Sequence, residues 1–451
     1  MFSKVLIANR GEIALRVIRA CRELGVQTVA VNSTADAEAM HVRLADASVC
    51  IGPPSAAGSY LNAASIIAAA EITGADAIHP GYGFLAENAA FAEMVGEHGL
   101  TFIGPTPEHI RLMGDKVAAK AAMRRLGVPV VPGTEEPLAG GVQEAAAAAQ
   151  AIGYPVLIKA VAGGGGRGMA VVRAPSELAD ALRLARRESE AGFGDARVYL
   201  ERYLERPRHI EVQVLADHHG AVVHLGERDC SVQRRHQKII EEAPSPALTP
   251  RERAAIGGRV VAAMRELGYR GVGTVEFLYQ DGGFHFIEMN TRLQVEHPVT
   301  EVVTGLDLVH EQIRVAAGLP LGLRQEDVRI AGHAIECRIN AEDPLTLTPA
   351  PGRVTTYHPP GGPGIRVDSA LYAGCTVPPH YDSLIAKLIV GGRTRDECLR
   401  RLRRALGEYV IAGIPTTIPL LQAVAEDEAF GRGEFHTGWL GEFLAGWRGP
   451  A

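Results

Sequence analysis

The 451-residue chain has no apolar run approaching the eighteen or so residues that a bilayer span needs, and its opening, MFSKVLIANRGEIA, has no long apolar stretch followed by a cleavage site. A cytoplasmic protein without membrane contact is expected. Cysteine is sparse and dispersed: Cys21, Cys50, Cys230, Cys337, Cys375 and Cys398 form no C-x-x-C pair and no cluster, which excludes a zinc site or a disulfide framework. An excess of positive charge is missing too. Lys and Arg number 46 against 52 Asp and Glu, a net charge of −6, so no overall field favours nucleic acid and any anion site must be local. What is present, 47% hydrophobic and 22% charged residues, is a globular composition, and at about 150 residues per domain the length suggests roughly three domains.

The pattern opens with a strand at 5–8, a turn at Asn9-Arg10-Gly11, a helix with Ile13, Val17, Cys21 and Leu24 at helical spacing, and a strand at 28–31. This βαβ start implies a parallel sheet, and further α/β units carry it to a first boundary near Gly114. A helix over 115–126 leads into the Pro/Gly-rich linker 128–141. The strands 155–160 and 169–173, with a helix over 175–191, read as a small α+β lid. From about Val198 the pattern turns mostly to strands, and a last segment from about Ile330 adds Pro/Gly turns and a helix around 395–408 with Arg395, Arg400, Arg401, Arg403 and Arg404. That helix reads as solvated or partner-facing surface.

Several constellations carry chemistry. The run Gly163-Gly164-Gly165-Gly166-Arg167-Gly168 lies between two expected strands, where bare backbone can close over phosphates. Lys116 and Lys159 are placed to hold phosphate oxygens. A hairpin with the loop Asp281-Gly282-Gly283 pairs positions summing to 564, so that Glu276 faces Glu288, with Asn290 two residues on; facing carboxylates and an amide oxygen suit magnesium shared with phosphates. If the chain stays extended beyond, Glu288, Asn290, Arg292, Gln294 and Glu296 project to one side, combining an arginine for a planar anion with a candidate base. The basic cluster Arg234-Arg235-His236-Gln237-Lys238, with His209 and Gln233, supplies cations and hydrogen bonds for a nucleotide.

On the segments IANRGEIALRVIRA, HPGYGFLAEN (79–88), MGDKVAAK (113–120), GGGGRGM (163–169), ERDCSVQRRHQKIIEEAP (227–244), FIEMNTRLQVEHPVTE (286–301) and ECRINAEDP (336–344), the chain resembles the biotin carboxylases of the ATP-grasp superfamily over nearly its whole length. The resemblance implies an α/β and α+β multidomain fold: a Rossmann-like N-terminal domain at 1–114, an ATP-grasp domain at 115–330 with a mobile lid at about 132–203, and a mainly β C-terminal domain at 331–447. It also implies roles. Lys116, Lys159, the glycines Gly163, Gly164, Gly165, Gly166 and Gly168, Glu201, Arg202, Leu204, His209, Gln233 and His236 correspond to ATP-binding positions. Glu276, Glu288 and Asn290 match ligands of magnesium or manganese. Lys238, Arg292, Gln294 and Val295 fall where bicarbonate is held, Glu296 where the general base stands, Arg338 where the biotin enolate is stabilised, and Tyr82 where biotin is lined. Arg202 stands where lysine is common, and Ala162 where some relatives carry another glycine.

The implied activity is a ligase reaction, ATP- and bicarbonate-dependent carboxylation of biotin N1′ through carboxyphosphate, the first half-reaction of acetyl-CoA or another acyl-CoA carboxylase. The chain carries no Met-Lys-Met biotinylation motif, so a separate biotin carboxyl carrier protein and separate carboxyltransferase subunits are expected, with a homodimer implied by the resemblance. Another ATP-grasp ligase, or a non-catalytic relative, is disfavoured by Arg338, the run RLQVEHPVTE and the presence of Lys238, Glu296 and the metal carboxylates together.

Overall fold

The computed structural model describes residues 1–134, 136–138, 140–161 and 168–449. Its N-terminal sheet is fully parallel, with the strands Ala47–Gly52, Gln27–Ser33, Lys4–Ile7, Ala77–His79 and Thr101–Phe102 in that spatial order. The helix Gly11–Glu23 covers it because Ile13, Val17, Ile18 and Cys21 fall on one buried face. Asn62 and Asn88 start two further helices, each side chain accepting a hydrogen bond from a backbone N–H three residues on.

The lid is a three-stranded antiparallel sheet with Val156–Ala160 between Met169–Val172 and Val198–Arg202. The helices Val142–Ile152 and Leu178–Phe193 pack Ala145, Ala149, Leu178 and Leu182 onto Val156, Ile158 and Leu200. Residues 128–134 are less of a free linker than their Pro/Gly content suggests. Val130 bridges to Phe286 and Gly133 to Glu201.

Besides two small two-stranded sheets, one eight-stranded sheet forms the rest of the framework, in the order Gly283–Asn290, Gly271–Gln280, Arg208–Ala216, Val222–Arg234, Gln237–Ala243, His333–Asn340, Leu384–Gly392 and Ile365–Ser369. It crosses the region near residue 330 without a break, because Gln237–Ala243 pairs with His333–Asn340. The helix Pro250–Leu267, absent from the mostly-strand expectation after Val198, packs Ile256, Val260 and Met264 into the core beneath it, and a Thr249/Glu252 capping box fixes its start. The helix Arg395–Glu408 corrects a second expectation, since only part of its basic face is solvated. Arg395 bonds Glu242 at 2.7 and 3.1 Å and the Phe430 and Gly431 carbonyls, and Arg403 bonds the Ala425 carbonyl at 2.8 Å.

The hairpin carrying the acidic pair reaches the expected register by another route. Its turn is the two-residue Asp281-Gly282, both at positive φ (51° and 78°), and Gly283 already belongs to the strand. Near the turn the pairs sum to 563, such as Phe277 with Phe286. A bulge between Glu276 and Phe277 then shifts the register so that Glu276 faces Glu288.

Candidate active site

A cleft of about 1070 Å³ lies between the lid, the eight-stranded sheet and the N-terminal sheet. It brings together Tyr82, Lys116, Lys159, Glu201, Arg202, Leu204, His209, Gln233, His236, Lys238, Glu276, Glu288, Asn290, Arg292, Gln294, Val295, Glu296 and Arg338. Gly163, Gly164, Gly165 and Gly166, like Ala162, lie outside the described residues. Gly168 is described but is not among the lining residues; it pairs with Ala160 at φ 68°, where a Cβ would come within 2.8 Å of the Ala160 methyl.

Cross-strand register sets the acidic floor. Glu288, Glu276, Glu211 and Arg228 stand abreast on four neighbouring strands. Like charges so placed repel unless cations intervene, and here they do. The Lys238 ammonium lies 2.5 Å from Glu211, 3.1 Å from Glu276 and 2.5 Å from Glu296. Burial opposes its charge, but the three carboxylates outweigh burial and hold its pKa well above the usual lysine value. Glu276 also accepts from Asn290 and Gln294 at 2.6 Å each and meets His209 at 2.8 Å. Burial raises the Glu276 carboxyl, and Lys238 with His209 more than reverses this, so it stays ionised.

The segment after Asn290 does not remain extended. The strand ends there, and Glu296 occupies the N-cap of the helix His297–Thr304. Arg292, Gln294 and Glu296 nevertheless line the same wall, held by side-chain bonds rather than by strand alternation. Arg292 donates to Glu87 at 2.8 Å and to the Asn290 oxygen at 2.9 Å. Gln294 accepts from Arg228 at 2.5 Å, and Lys387 donates to the Val295 carbonyl at 2.9 Å. Glu296 sits between Lys238 and Arg338, whose Nη2 is 2.9 Å away. Burial pushes its carboxyl up, but Lys238 and the two arginines bring it below the ordinary range.

At the lid end the balance of charge is reversed. Glu201, buried on the lid strand Val198–Arg202, accepts from Lys120 at 2.6 Å and Lys159 at 3.0 Å, and Lys116 lies 3.7 Å from Glu288. Arg235 and His236 form the turn into Gln237–Ala243 with φ of 49° and 64°, a left-handed conformation uncommon for such residues, and it places His236 in the cleft wall. On the N-terminal side the turn bearing Tyr82 is pinned by Asn9, whose amide donates to the carbonyls of Pro80 and Tyr82 at 2.8 Å each. The Tyr82 hydroxyl donates to Glu12, which pairs with Lys387 at 3.1 Å.

Sequence models of three units match the chain in succession: the biotin carboxylase N-terminal domain at residues 1–110, the carbamoyl-phosphate synthase L chain ATP-binding domain at 115–324, and the biotin carboxylase C-terminal domain at 336–442. The biotin carboxylase of Haemophilus influenzae is 60% identical over 433 residues, 96% of this chain and 97% of that protein. The chain is a member of the biotin carboxylase family. Its other relatives include the biotin carboxylase of Pseudomonas aeruginosa, 60% identical over 440 residues, 98% of this chain and 98% of that one. Among solved structures, the biotin carboxylase domain dimer of Hydrogenobacter thermophilus 2-oxoglutarate carboxylase, a complex with MgADP, ADP and bicarbonate, superposes with a TM-score of 0.94 at 52% identity, covering 99% of both chains. As a biotin carboxylase family member the chain is an ATP-grasp ligase.

Residues that sequence reasoning passed over complete this biotin carboxylase cleft. Arg228, fully buried, bonds Glu211, Gln213, Thr274, Gln294 and Thr300 at 2.5–3.2 Å. Glu211 is held at about 2, burial being overcome by Lys238 and Arg228. A signal existed: His209, Glu211 and Gln213 alternate with Ile210, Val212 and Val214, a polar row on a strand buried on both faces. Glu241, which accepts from Arg338 at 2.6 Å, and the buried Lys387 were also missed.

Proposed function

We propose that the ATP- and bicarbonate-dependent carboxylation of biotin at N1′ runs in this cleft through carboxyphosphate, with the biotin presented on a biotin carboxyl carrier protein. The observation that carries the reading is Glu296, an ionised carboxylate clamped between Lys238 and Arg338 beside Arg292. A group so placed accepts the proton of a bicarbonate bound by Arg292, Lys238 and the Gln294-Val295 segment. The freed oxygen attacks the γ-phosphorus of ATP, breaking the bond to ADP and giving carboxyphosphate, while Lys116 and Lys159 face the phosphate charge. Carboxyphosphate breaks to CO₂ and phosphate. The phosphate takes the N1′ proton of biotin, the enolate-like anion rests against Arg338, and its nitrogen bonds to CO₂.

Glu276, Glu288 and Asn290 fit a divalent magnesium or manganese ion, since their donor set is oxygen only and the two carboxylates are in cross-strand register. Such an ion supplies neutralisation of phosphate charge. Glu201, Arg202, Leu204, His209, Gln233 and His236 line the part of the cleft assigned to the nucleotide, with Gly168 at the edge of the lid, and Tyr82 lines the side assigned to biotin. For the domain limits 1–114, 115–330 and 331–447 and a lid over about 132–203, the parallel sheet falling within the first and the three-stranded sheet within the lid are support, while the eight-stranded sheet spans the limit at 330. Carboxyltransferase subunits choose the final acceptor, and a homodimer in the cytoplasm is the working form.

The test is turnover of the purified chain with ATP, magnesium and bicarbonate, with and without biotin, following carboxybiotin by mass spectrometry. Bicarbonate-dependent hydrolysis stimulated by biotin, with carboxybiotin formed, is expected. Turnover indifferent to biotin would overturn the assignment.

A further inference from the structure

Behind Arg338, outside the cleft wall, lies a second pair of facing carboxyl groups that the mechanism does not use. Glu241 and Glu336 are direct cross-strand partners on Gln237–Ala243 and His333–Asn340, and both are fully buried. Arg338 spends Nε and Nη2 on one oxygen of Glu241, at 2.6 and 2.5 Å. The other Glu241 oxygen and both Glu336 oxygens are buried with no hydrogen-bond partner among the described residues. Three unpartnered carboxylate oxygens opposite one another cannot all remain without protons, because each buried, unpaired ionised group costs several kcal/mol (order of magnitude). One proton on Glu336, donated to the free Glu241 oxygen, gives two of the three oxygens a partner and removes one of the two buried charges.

The surrounding charges point the same way. Lys238 faces the pair from the strand that carries Glu241, Arg338 from the strand that carries Glu336 and Lys387 from the strand beyond. Glu296 faces it from the helix cap, Tyr82 and Glu12 from the N-terminal side, and the Cys230 and Cys337 thiols from within the sheet. Lys387 is already matched by Glu12 and Asp368, and Lys238 by Glu211, Glu276 and Glu296. With Glu241, Glu296 and Glu336 all ionised, Arg338 would be outnumbered three to one where an anion must form. Burial pushes Glu241 up to about 7 and Glu336 well above the carboxylate range, in line with the geometry.

We propose that Glu241 and Glu336 share a single proton and that this acid pair is a positioning element, keeping Arg338 electrostatically free to receive the biotin enolate. The proposal rests on the role given to Arg338 above, so its test separates the pair from that role. Infrared difference spectra of the full chain at neutral pH read the proton directly: the carbonyl stretch of a protonated carboxyl is expected in wild type, absent in Glu336→Gln and displaced in Glu241→Gln. A band missing from wild type, or unmoved in both variants, overturns the shared proton whatever the activity. If Glu336→Gln fails to fold, displacement in Glu241→Gln alone decides.

Kinetics then test the link to Arg338. Glu336→Leu, which cannot donate to Glu241, is expected to lower kcat for carboxybiotin at least tenfold, a roughly 1.4 kcal/mol barrier change, with KM for ATP unchanged. Glu336→Gln, neutral and still a donor, is expected to restore most of that rate. In wild type the rate should fall as alkaline pH removes the shared proton, and in Glu336→Gln that limb should vanish. Loss of KM and kcat together in Glu336→Leu, with no rescue by Gln and an unmoved pH profile, would reduce the pair to a packing role.

Discussion

At the lid end of the cleft three lysines, Lys116, Lys120 and Lys159, share two carboxylates, Glu201 and Glu288, while at the opposite end Lys238 alone meets three carboxylates and Arg338 meets two. A surplus of cations is suited to an anion that arrives with several charges. A surplus of carboxylates tied together by one ammonium is suited to proton transfer and to a divalent cation. The lid end is redundant, since Glu201 keeps one lysine if the other is lost. At the far end Glu211 also keeps Arg228, Glu276 keeps His209 and Glu296 keeps Arg338, but Lys238 alone bridges all three carboxylates, so its loss unbalances them together.

That contrast can be broken most directly at Lys238. Lys238→Met leaves Glu211, Glu276 and Glu296 buried around an apolar side chain, and an abandoned buried pair costs about 3–5 kcal/mol. Carboxybiotin formation should disappear and the melting temperature should fall steeply; a variant that melts like wild type would dissolve the asymmetry. Glu296→Gln keeps the shape but removes the base, so kcat should drop by about 10²–10⁴ while ADP binding measured by calorimetry persists.

Asp368 extends the comparison to pH. Burial raises its carboxyl, and Arg366 with Lys387 lowers it from 3.8 to about 2. A depressed carboxylate stabilises the fold above its unfolded value and loses that contribution as pH falls through the folded one, here between about pH 4 and 2. The stability gap between wild type and Asp368→Asn should therefore reach about 2 kcal/mol above that window and close within it. Denaturant titrations at several pH values would measure it. The smallest effect is expected at the redundant end: Lys120→Met leaves Glu201 with Lys159, so KM for ATP should rise severalfold with kcat nearly unchanged. A collapse of kcat there would remove the contrast from the other side.

Sequence reached the content of the cleft more readily than its construction. Glu276 faces Glu288 as the hairpin arithmetic requires, yet the turn has two residues and a bulge makes up the difference. Local pairing rules could not foresee that compensation, because a bulge is set by packing on both faces of the sheet. The side chains from Arg292 to Glu296 line one wall although the strand ends at Asn290, since bonds to Glu87, Arg228 and Lys387 replace the alternation that reading an extended strand assumed. Arg228 was visible within a motif, but its five partners lie on four other segments, and such closure through space has no period in the chain. The buried Glu241 was hidden for the same reason.

The unbroken eight-stranded sheet also constrains how the chain can be divided. A cut near residue 330 would strip Gln237–Ala243 of its neighbour His333–Asn340 and leave a seven-residue edge with unpaired backbone N–H and C=O groups, a surface that invites pairing between molecules. The same cut would take Arg338, Lys387 and Glu336 away from Glu241, Glu296 and Val295. Fragments ending at that boundary are therefore expected to self-associate and aggregate when expressed alone.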